Sequence, residues 1–75
     1  MKVGDLATSP VVSVRPERSL RQAAQVMMEH GTGSTVVLDG GALVGILTER
    51  DLLHAVATGT DLDGNRVEQL MSRDV

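Results

Sequence analysis

Apolar residues recur at helical spacing between Ser19 and Gly31. They occupy positions i, i+3, i+4, i+7 and i+8, the pattern of a helix with one apolar face. Ser19 and Gln22 have the spacing of a capping box, and Gly31 is a typical C-terminal stop. The sequence therefore predicts a first helix whose apolar face packs into the core through Leu20, Ala23, Ala24, Met27 and Met28.

Two β-rich runs, residues 35–38 and 42–47, lie on either side of Asp39-Gly40-Gly41. Paired glycines suit a tight turn that needs positive φ, so these runs predict a β-hairpin. Gly45 lies inside the second run, and a glycine there indicates a bulge or the close approach of backbone or ligand. A shorter β-rich run at residues 11–14 predicts a strand before the first helix.

A second helix is predicted from about residue 49 to residue 58, with Gly59 as its stop. Its apolar residues are Leu52, Leu53, Ala55 and Val56. The order of elements is then βαββα. We expect an α+β fold in which two helices pack on a small three-stranded sheet.

Thr48 and Asp51 lie where the last strand passes into the second helix. The first N–H groups of a helix have no intrahelical partners and favour an anion, so this junction suits a ribose phosphate. Thr-x-x-Asp is also close to a capping box, which is common without any ligand. The spacing alone leaves both interpretations open.

Composition limits the possible classes of function. The chain has 75 residues, 41% of them hydrophobic and none aromatic, so one small aliphatic core is expected to need a partner for stability. The net charge of −3 argues against nucleic-acid binding. These 75 residues contain no cysteine, no apolar run of spanning length and no signal-peptide pattern. We therefore expect a cytoplasmic protein without a membrane contact.

Metal and catalytic motifs are missing from the sequence. Asp61, Asp63 and Asn65 alternate as in a calcium loop, but Arg66 and Ser72 occupy the positions where that loop needs Gly and Glu. The two histidines, His30 and His54, have no second ligand at metal spacing. No nucleophile motif or positioned general base is recognisable, so we expect no enzyme.

Taken together, the segments resemble a cystathionine β-synthase (CBS) domain across nearly the whole chain. Gly45 to Asp51 matches that family's nucleotide pattern in full: Gly, two hydrophobics, Thr or Ser, two free positions and Asp. The other matching segments keep the family's order and spacing. They are residues 3–11, Val14-x-Pro16, the first helix, residues 36–40 and residues 43–52.

The resemblance implies an adenosyl ligand. Thr48 would bind its phosphate side and Asp51 its ribose hydroxyls. Backbone groups would recognise adenine. Two cationic side chains of the second helix are candidates for contacts with phosphate. The remaining implied ligand-binding residues are Ala7, Thr8, Val12, Thr32, Gly33, Arg50 and His54.

The implied ligand carries few phosphates. Gly33 and Ser34 stand where basic side chains often precede this strand in the family. We therefore favour AMP or another adenosyl compound, such as S-adenosylmethionine, over ATP, and ADP is a further possible ligand. The implied function is regulatory sensing by paired modules, either a homodimer or a second CBS module. The pairing face is expected to include Leu52, Leu53 and Val56. The alternative is a structural dimerisation module without a ligand.

The two ends of the chain resemble each other at an offset of 64 residues. Val3-x-x-Leu6-Ala7-Thr8-x-x-Val11 returns as Val67-x-x-Leu70-Met71-Ser72-x-x-Val75. We expect residues 1–59 to form the module and the polar residues 60–66 to form a linker. Residues 67–75 would then be the start of a second repeat or a C-terminal capping segment.

Overall fold

A three-stranded sheet with two helices packed on it forms the fold in the computed structural model, which describes residues 12–73. The elements follow the predicted βαββα order, and their predicted ends are wrong by at most a few residues. They are β1 (Ser13–Val14), α1 (Leu20–His30), β2 (Ser34–Asp39), β3 (Ala42–Thr48), α2 (Glu49–Ala57) and a final 3-10 turn (Val67–Gln69).

The strand order is β1-β2-β3. β1 runs parallel to β2, with Ser13 opposite Val36, while β2 and β3 form the predicted antiparallel hairpin, with Ser34 opposite Thr48. The starts of β1 and β2 therefore lie at the same end of the sheet as the end of β3. Parallel strands require a crossover, which α1 supplies.

The predicted turns and caps of the first helix and hairpin are confirmed. The Ser19 side chain accepts from the Gln22 N–H and the Gln22 side chain accepts from the Ser19 N–H, so both form the capping box. Gly31 ends α1 with φ of 64°, in the left-handed region that favours glycine. The hairpin turn has positive φ at both of its glycines, Gly40 and Gly41.

The core lies between the sheet and the helices and extends to the C-terminal segment. Its buried hydrophobic residues are Val14, Leu20, Ala23, Met27, Val37, Leu47, Ala55, Val67 and Met71. The prediction that Met28 belongs to this core is wrong, because Met28 is 81% exposed. The next residue of a helix is rotated by about 100°, so Met28 lies beyond the buried stripe that contains Met27.

Residues 60–73 pack against the rest of the module. The N–H groups of Leu20 and Arg21, at the start of α1, donate to the carbonyls of Asn65 and Leu62 at 3.1 and 3.0 Å. Val67 is fully buried. The division at residues 59 and 66 stays a prediction, and so do both interpretations of residues 67–75.

Gly45 lies beneath that C-terminal segment. Ile46 and Ser72 exchange two backbone hydrogen bonds of 2.9 Å, which bring the segment along the edge of β3. A Cβ at Gly45 would lie 2.6 Å from Met71 Sδ and 2.9 Å from the Ser72 carbonyl oxygen. The predicted close approach at Gly45 is therefore made by the protein's own chain.

Neither helix in residues 12–73 combines the length and apolar character needed to cross a bilayer.

Candidate functional site

Thr48 and Asp51 cap the second helix reciprocally. Thr48 has the extended backbone of an N-cap residue, with φ of −114° and ψ of 162°. Its Oγ1 accepts from the Asp51 N–H at 3.2 Å, and Asp51 Oδ2 accepts from the Thr48 N–H at 2.9 Å. Both side chains are partly exposed. The capping interpretation is thus correct as a description of the fold.

The same pair retains unused hydrogen-bonding capacity. Asp51 uses Oδ2 in the cap, and an ionised carboxylate has a second oxygen that can accept from a ribose hydroxyl. The Thr48 hydroxyl acts as an acceptor in the cap, so its proton can still be donated. Capping and ligand binding are chemically compatible at this junction.

The end of the sheet brings several of the predicted site residues together. The Glu49 N–H donates to the Gly33 carbonyl at 2.9 Å, so the loop before β2 contacts the start of α2. The Val12 carbonyl accepts from the Val36 N–H at 3.1 Å, which places Val12 beside the first half of β2. Gly33, Thr48 and Val12 therefore lie at one end of the sheet.

Val12 can offer a ligand only part of its backbone. Its carbonyl oxygen already accepts from the Val36 N–H and, at 3.1 Å, from Thr35 Oγ1. A carbonyl has two lone pairs, so recognition of adenine through Val12 would have to use its N–H.

Thr35 holds the start of β1 through the hydrogen bond from its hydroxyl to the Val12 carbonyl. It is 2% exposed, and its burial was not predicted from the sequence. The alternation of β2, which points Thr35 and Val37 to the same face, could have indicated its inward position.

An open cleft of about 460 Å³ lies between α1 and α2, beside this end of the sheet. Thr32 Oγ1 is buried there and has no hydrogen-bond partner among the described residues. Glu49 is the one charged lining residue in residues 12–73, and sequence reasoning missed it as a site residue. The cleft is lined by Ala24, Met27, Met28, Gly31, Thr32, Gly33, Glu49 and Leu52.

Of the predicted site residues, Thr32 and Gly33 line this cleft. Thr48, Asp51 and Val12 lie beside it, and the predicted cationic side chains do not line it. Arg50 lines a separate surface hollow with Glu49 and Leu53. His54 lies exposed in the last turn of α2. Ala7 and Thr8, also predicted to line the ligand pocket, lie outside the described residues.

Among residues 12–73, the groups with shifted pKa values lie outside the cleft. A hydrogen bond from Arg21 lowers the pKa of Asp63, and the same bond raises the pKa of Arg21. A backbone hydrogen bond lowers the pKa of Glu17. Within residues 12–73, no three His, Asp or Glu side chains form a group that could hold a metal ion.

The family model for the CBS domain matches residues 3–58. The chain belongs to the CBS domain family. An uncharacterized 17.7 kDa protein of Acidianus ambivalens is 44% identical over 99% of this chain and 44% of its own length. The CBS domain-containing protein YhcV of Bacillus subtilis is 35% identical over 97% of this chain and 52% of its own length. The chain thus spans about half the length of these two relatives.

Solved CBS domain structures have the same fold. The CBS-domain containing protein ATU1752 from Agrobacterium tumefaciens is 38% identical with a TM-score of 0.84, over 95% of this chain and 55% of that one. The CBS domain protein PAE2072 from Pyrobaculum aerophilum, complexed with AMP, is 26% identical with a TM-score of 0.84, over 100% of this chain and 59% of that one.

A further CBS structure contains sulfur-bearing adenosyl ligands. The CBS domain pair of protein MJ0100, in complex with 5′-methylthioadenosine and S-adenosyl-L-methionine, is 28% identical with a TM-score of 0.80. The alignment covers 100% of this chain and 58% of that one. Neighbours of this CBS module therefore bind adenosyl compounds with and without phosphate.

Proposed function

We propose that this CBS module is a regulatory sensor for an adenosyl ligand, either an AMP-like nucleotide or S-adenosylmethionine. The observation that carries the proposal is the position of Thr48 and Asp51 at the sheet end that also contains Gly33 and Val12. The ligands of the structural neighbours support the adenosyl class. The module performs no chemistry on its ligand and acts through occupancy.

In the proposed complex, Asp51 and Thr48 bind the ligand with the hydrogen-bonding atoms that the helix cap does not use. Asp51 Oδ1 accepts from the ribose hydroxyls, and the Thr48 hydroxyl donates to the group attached at the ribose 5′ position. The N-terminal dipole of α2 stabilises negative charge at that position. Adenine is recognised by backbone groups of Val12, Thr32 and Gly33, with Ala7 or Thr8 as further lining residues.

Occupancy is transmitted through pairing with a second CBS module or with a second copy of this chain. Two apolar side chains of α2 favour this proposal, because Leu53 is 69% exposed and Val56 is 58% exposed. They lie three residues apart and therefore on one helix face. Leu52, which was also expected on the pairing face, is half-buried against the core. A cytoplasmic location is part of the same proposal.

A structural module without a ligand is the second candidate function. The reciprocal bonds between Thr48 and Asp51 favour it, because they explain both residues through helix capping alone. Under this alternative, the exposed face of α2 still pairs, and no adenosyl compound binds.

Thermal unfolding with a ligand panel distinguishes the two functions. The panel contains adenosine, AMP, ADP, ATP, 5′-methylthioadenosine and S-adenosylmethionine, with GMP as the control for the base. A ligand at 100 times its dissociation constant stabilises a one-site protein by about 2.7 kcal/mol, which raises the unfolding temperature measurably. No shift with any adenosyl compound at millimolar concentration would contradict the sensor and leave the structural module.

A further inference from the structure

Glu49 is a charged residue that lines the cleft and borders the proposed 5′ end of the ligand. It directly follows Thr48, and its N–H donates to the Gly33 carbonyl at 2.9 Å. A Cβ at Gly33 would lie 3.4 Å from Glu49 Oε1, so the carboxylate lies over the Gly33 backbone. A substituent that leaves the ribose past Thr48 and enters the cleft would therefore meet this carboxylate.

Among residues 12–73, no cationic side chain balances the charge of Glu49 within the cleft. No Lys, Arg or His is among the described residues that line it. No ion pair to Glu49 is found in residues 12–73. Asp51 adds a second carboxylate within the same turn of helix. The N-terminal dipole of α2 acts as about half a positive charge here, and the two full carboxylate charges outweigh it. They disfavour the approach of a phosphate, more strongly as its charge increases.

Four of the residues that line the cleft have apolar side chains. Ala24, Met27, Met28 and Leu52 present alkyl groups and two thioether sulfurs. Methionine side chains are polarizable and adapt to irregular apolar groups. An S-methyl or short alkyl substituent fits this lining, whereas a phosphate would lose hydration without gaining a cationic partner from residues 12–73.

We infer that Glu49 is a specificity-determining residue that makes the site prefer adenosyl ligands with a neutral or cationic 5′ substituent, a thioether or a sulfonium, over nucleoside phosphates. This inference rests on the proposed adenosyl site. The discrimination comes from the Glu49 charge, which repels a phosphate, attracts a sulfonium and leaves a neutral thioether unaffected.

Calorimetric titration of the wild type and Glu49→Gln tests the inference. The probes are AMP, ATP, 5′-methylthioadenosine and S-adenosylmethionine, measured at low ionic strength because exposed charges are screened by salt. The matched control is Glu17→Gln, which removes an exposed carboxylate from the loop after β1, at the opposite end of the sheet. Thermal unfolding without ligand monitors the fold of both variants.

The expected result is a change that depends on the charge of the ligand. Glu49→Gln should tighten AMP and weaken S-adenosylmethionine, each by about three- to tenfold, with a larger gain for ATP. The dissociation constant of 5′-methylthioadenosine should stay within about twofold of the wild-type value, and Glu17→Gln should change none of the four.

The outcomes separate this inference from the proposed function. If the adenosyl compounds bind but Glu49→Gln changes the four affinities equally or not at all, Glu49 is only a charge at the start of a helix and the inference is wrong. If none of the four compounds binds the wild type or either variant, the adenosyl sensor itself is wrong, and the inference falls with it.

Discussion

Thr48 and Asp51 exchange hydrogen bonds, each side chain accepting from the backbone N–H of the other at 3.2 and 2.9 Å. The pair therefore fixes the start of α2 before any ligand arrives. A side chain that is already held in place loses little conformational entropy on binding. The cap therefore holds both side chains in place for the proposed site. Because a substitution could weaken binding by removing the cap alone, a test must measure ligand affinity and folding stability separately.

Replacing Asp51 separates the two roles. Asp51→Asn keeps an oxygen that can accept from the Thr48 N–H, so unfolding should change little while the charged acceptor for ribose is lost. Affinity for the best adenosyl ligand should fall by about tenfold or more, because hydrogen bonds to charged groups are worth about 1.5–3 kcal/mol. Asp51→Ala should abolish measurable binding and leave the protein folded. Titration calorimetry with circular dichroism measures both effects, and unchanged affinity in Asp51→Ala would favour capping alone.

Replacing Thr48 tests whether its hydroxyl contributes to ligand binding. Thr48→Val removes it with little change in shape and should lower the free energy of unfolding by about 1 kcal/mol through the lost N-cap. Thr48→Ser retains the hydroxyl and serves as the matched control. AMP binding should weaken in Thr48→Val by more than in Arg50→Ala or His54→Ala, where we expect less than about a fivefold loss because exposed charge contacts are individually small.

Urea denaturation and AMP titrations of the four variants make this comparison. A larger loss of AMP affinity in Arg50→Ala than in Thr48→Val would show that side-chain charge, and not the helix start, recognises the phosphate.

Adding a methyl group at Gly45 should destabilise the module. The new Cβ would meet Met71 Sδ at 2.6 Å and the Ser72 carbonyl at 2.9 Å, and a backbone atom cannot move aside as a flexible side chain can. We expect Gly45→Ala to cost about 1–3 kcal/mol of unfolding free energy, as overpacking usually does. Gly33→Ala is the control, because its Cβ would meet only the flexible Glu49 side chain at 3.4 Å. Equal denaturation midpoints for the two variants would contradict the close contact at Gly45.

The ion pair between Arg21 and Asp63 should make stability depend on acid pH. Arg21 Nε lies 2.6 Å from Asp63 Oδ1, and this bond holds the pKa of Asp63 below its ordinary value of 3.8. A depressed carboxyl pKa contributes stability above that ordinary value, and the contribution is lost as pH falls through the folded-state pKa. Asp63→Asn should therefore be slightly less stable than wild type at neutral pH and equal to it in strong acid.

Thermal unfolding of Asp63→Asn, Arg21→Gln and the double variant across this pH range provides the check. Both side chains are exposed, so each shift should be small. The double variant should match either single variant, since each removes the same bond. If the wild type instead gained stability relative to Asp63→Asn as pH falls, the pH dependence would be opposite to the prediction and would contradict it.

Local patterns in the sequence were sufficient to predict the elements of the fold. Ser19 with Gln22, Gly31, and the Gly40-Gly41 turn specify helix ends and a hairpin through contacts among near neighbours, and the structure has them all. Met28 shows the limit of this reasoning. Periodicity gives the centre of an apolar face, but the width of the buried stripe depends on what packs against it.

The contacts that build the fold around the candidate site are distant in the sequence, which is why the sequence did not predict them. Thr35 bonds the carbonyl of Val12 across 23 positions, and Ser72 pairs with Ile46 across 26. Glu49 reaches the cleft because the loop at Gly33 returns to the start of α2. No periodic pattern encodes such tertiary pairings, whereas the Thr48 and Asp51 spacing is local and could be recognised directly.

The exposed apolar face of α2 leads to the last prediction, which concerns assembly. Leu53 is 69% exposed and Val56 is 58% exposed, and burying a leucine side chain fully is worth about 1.5–3 kcal/mol. We expect the wild type to sediment as a dimer at micromolar concentration and Leu53→Glu to sediment as a monomer. The substitution should leave the fold intact, since Leu53 points to solvent within one module.

Leu43→Glu is the matched control for this prediction. Leu43 is also a largely exposed leucine, at 50%, but it lies at the start of β3 beside the hairpin turn and not on a helix. Its replacement adds the same charge and should leave the dimer unchanged. Dissociation by Leu43→Glu but not by Leu53→Glu would move the pairing surface from α2 to the hairpin. A wild-type monomer at micromolar concentration would show that the module folds without pairing, and its small core would then suffice for stability.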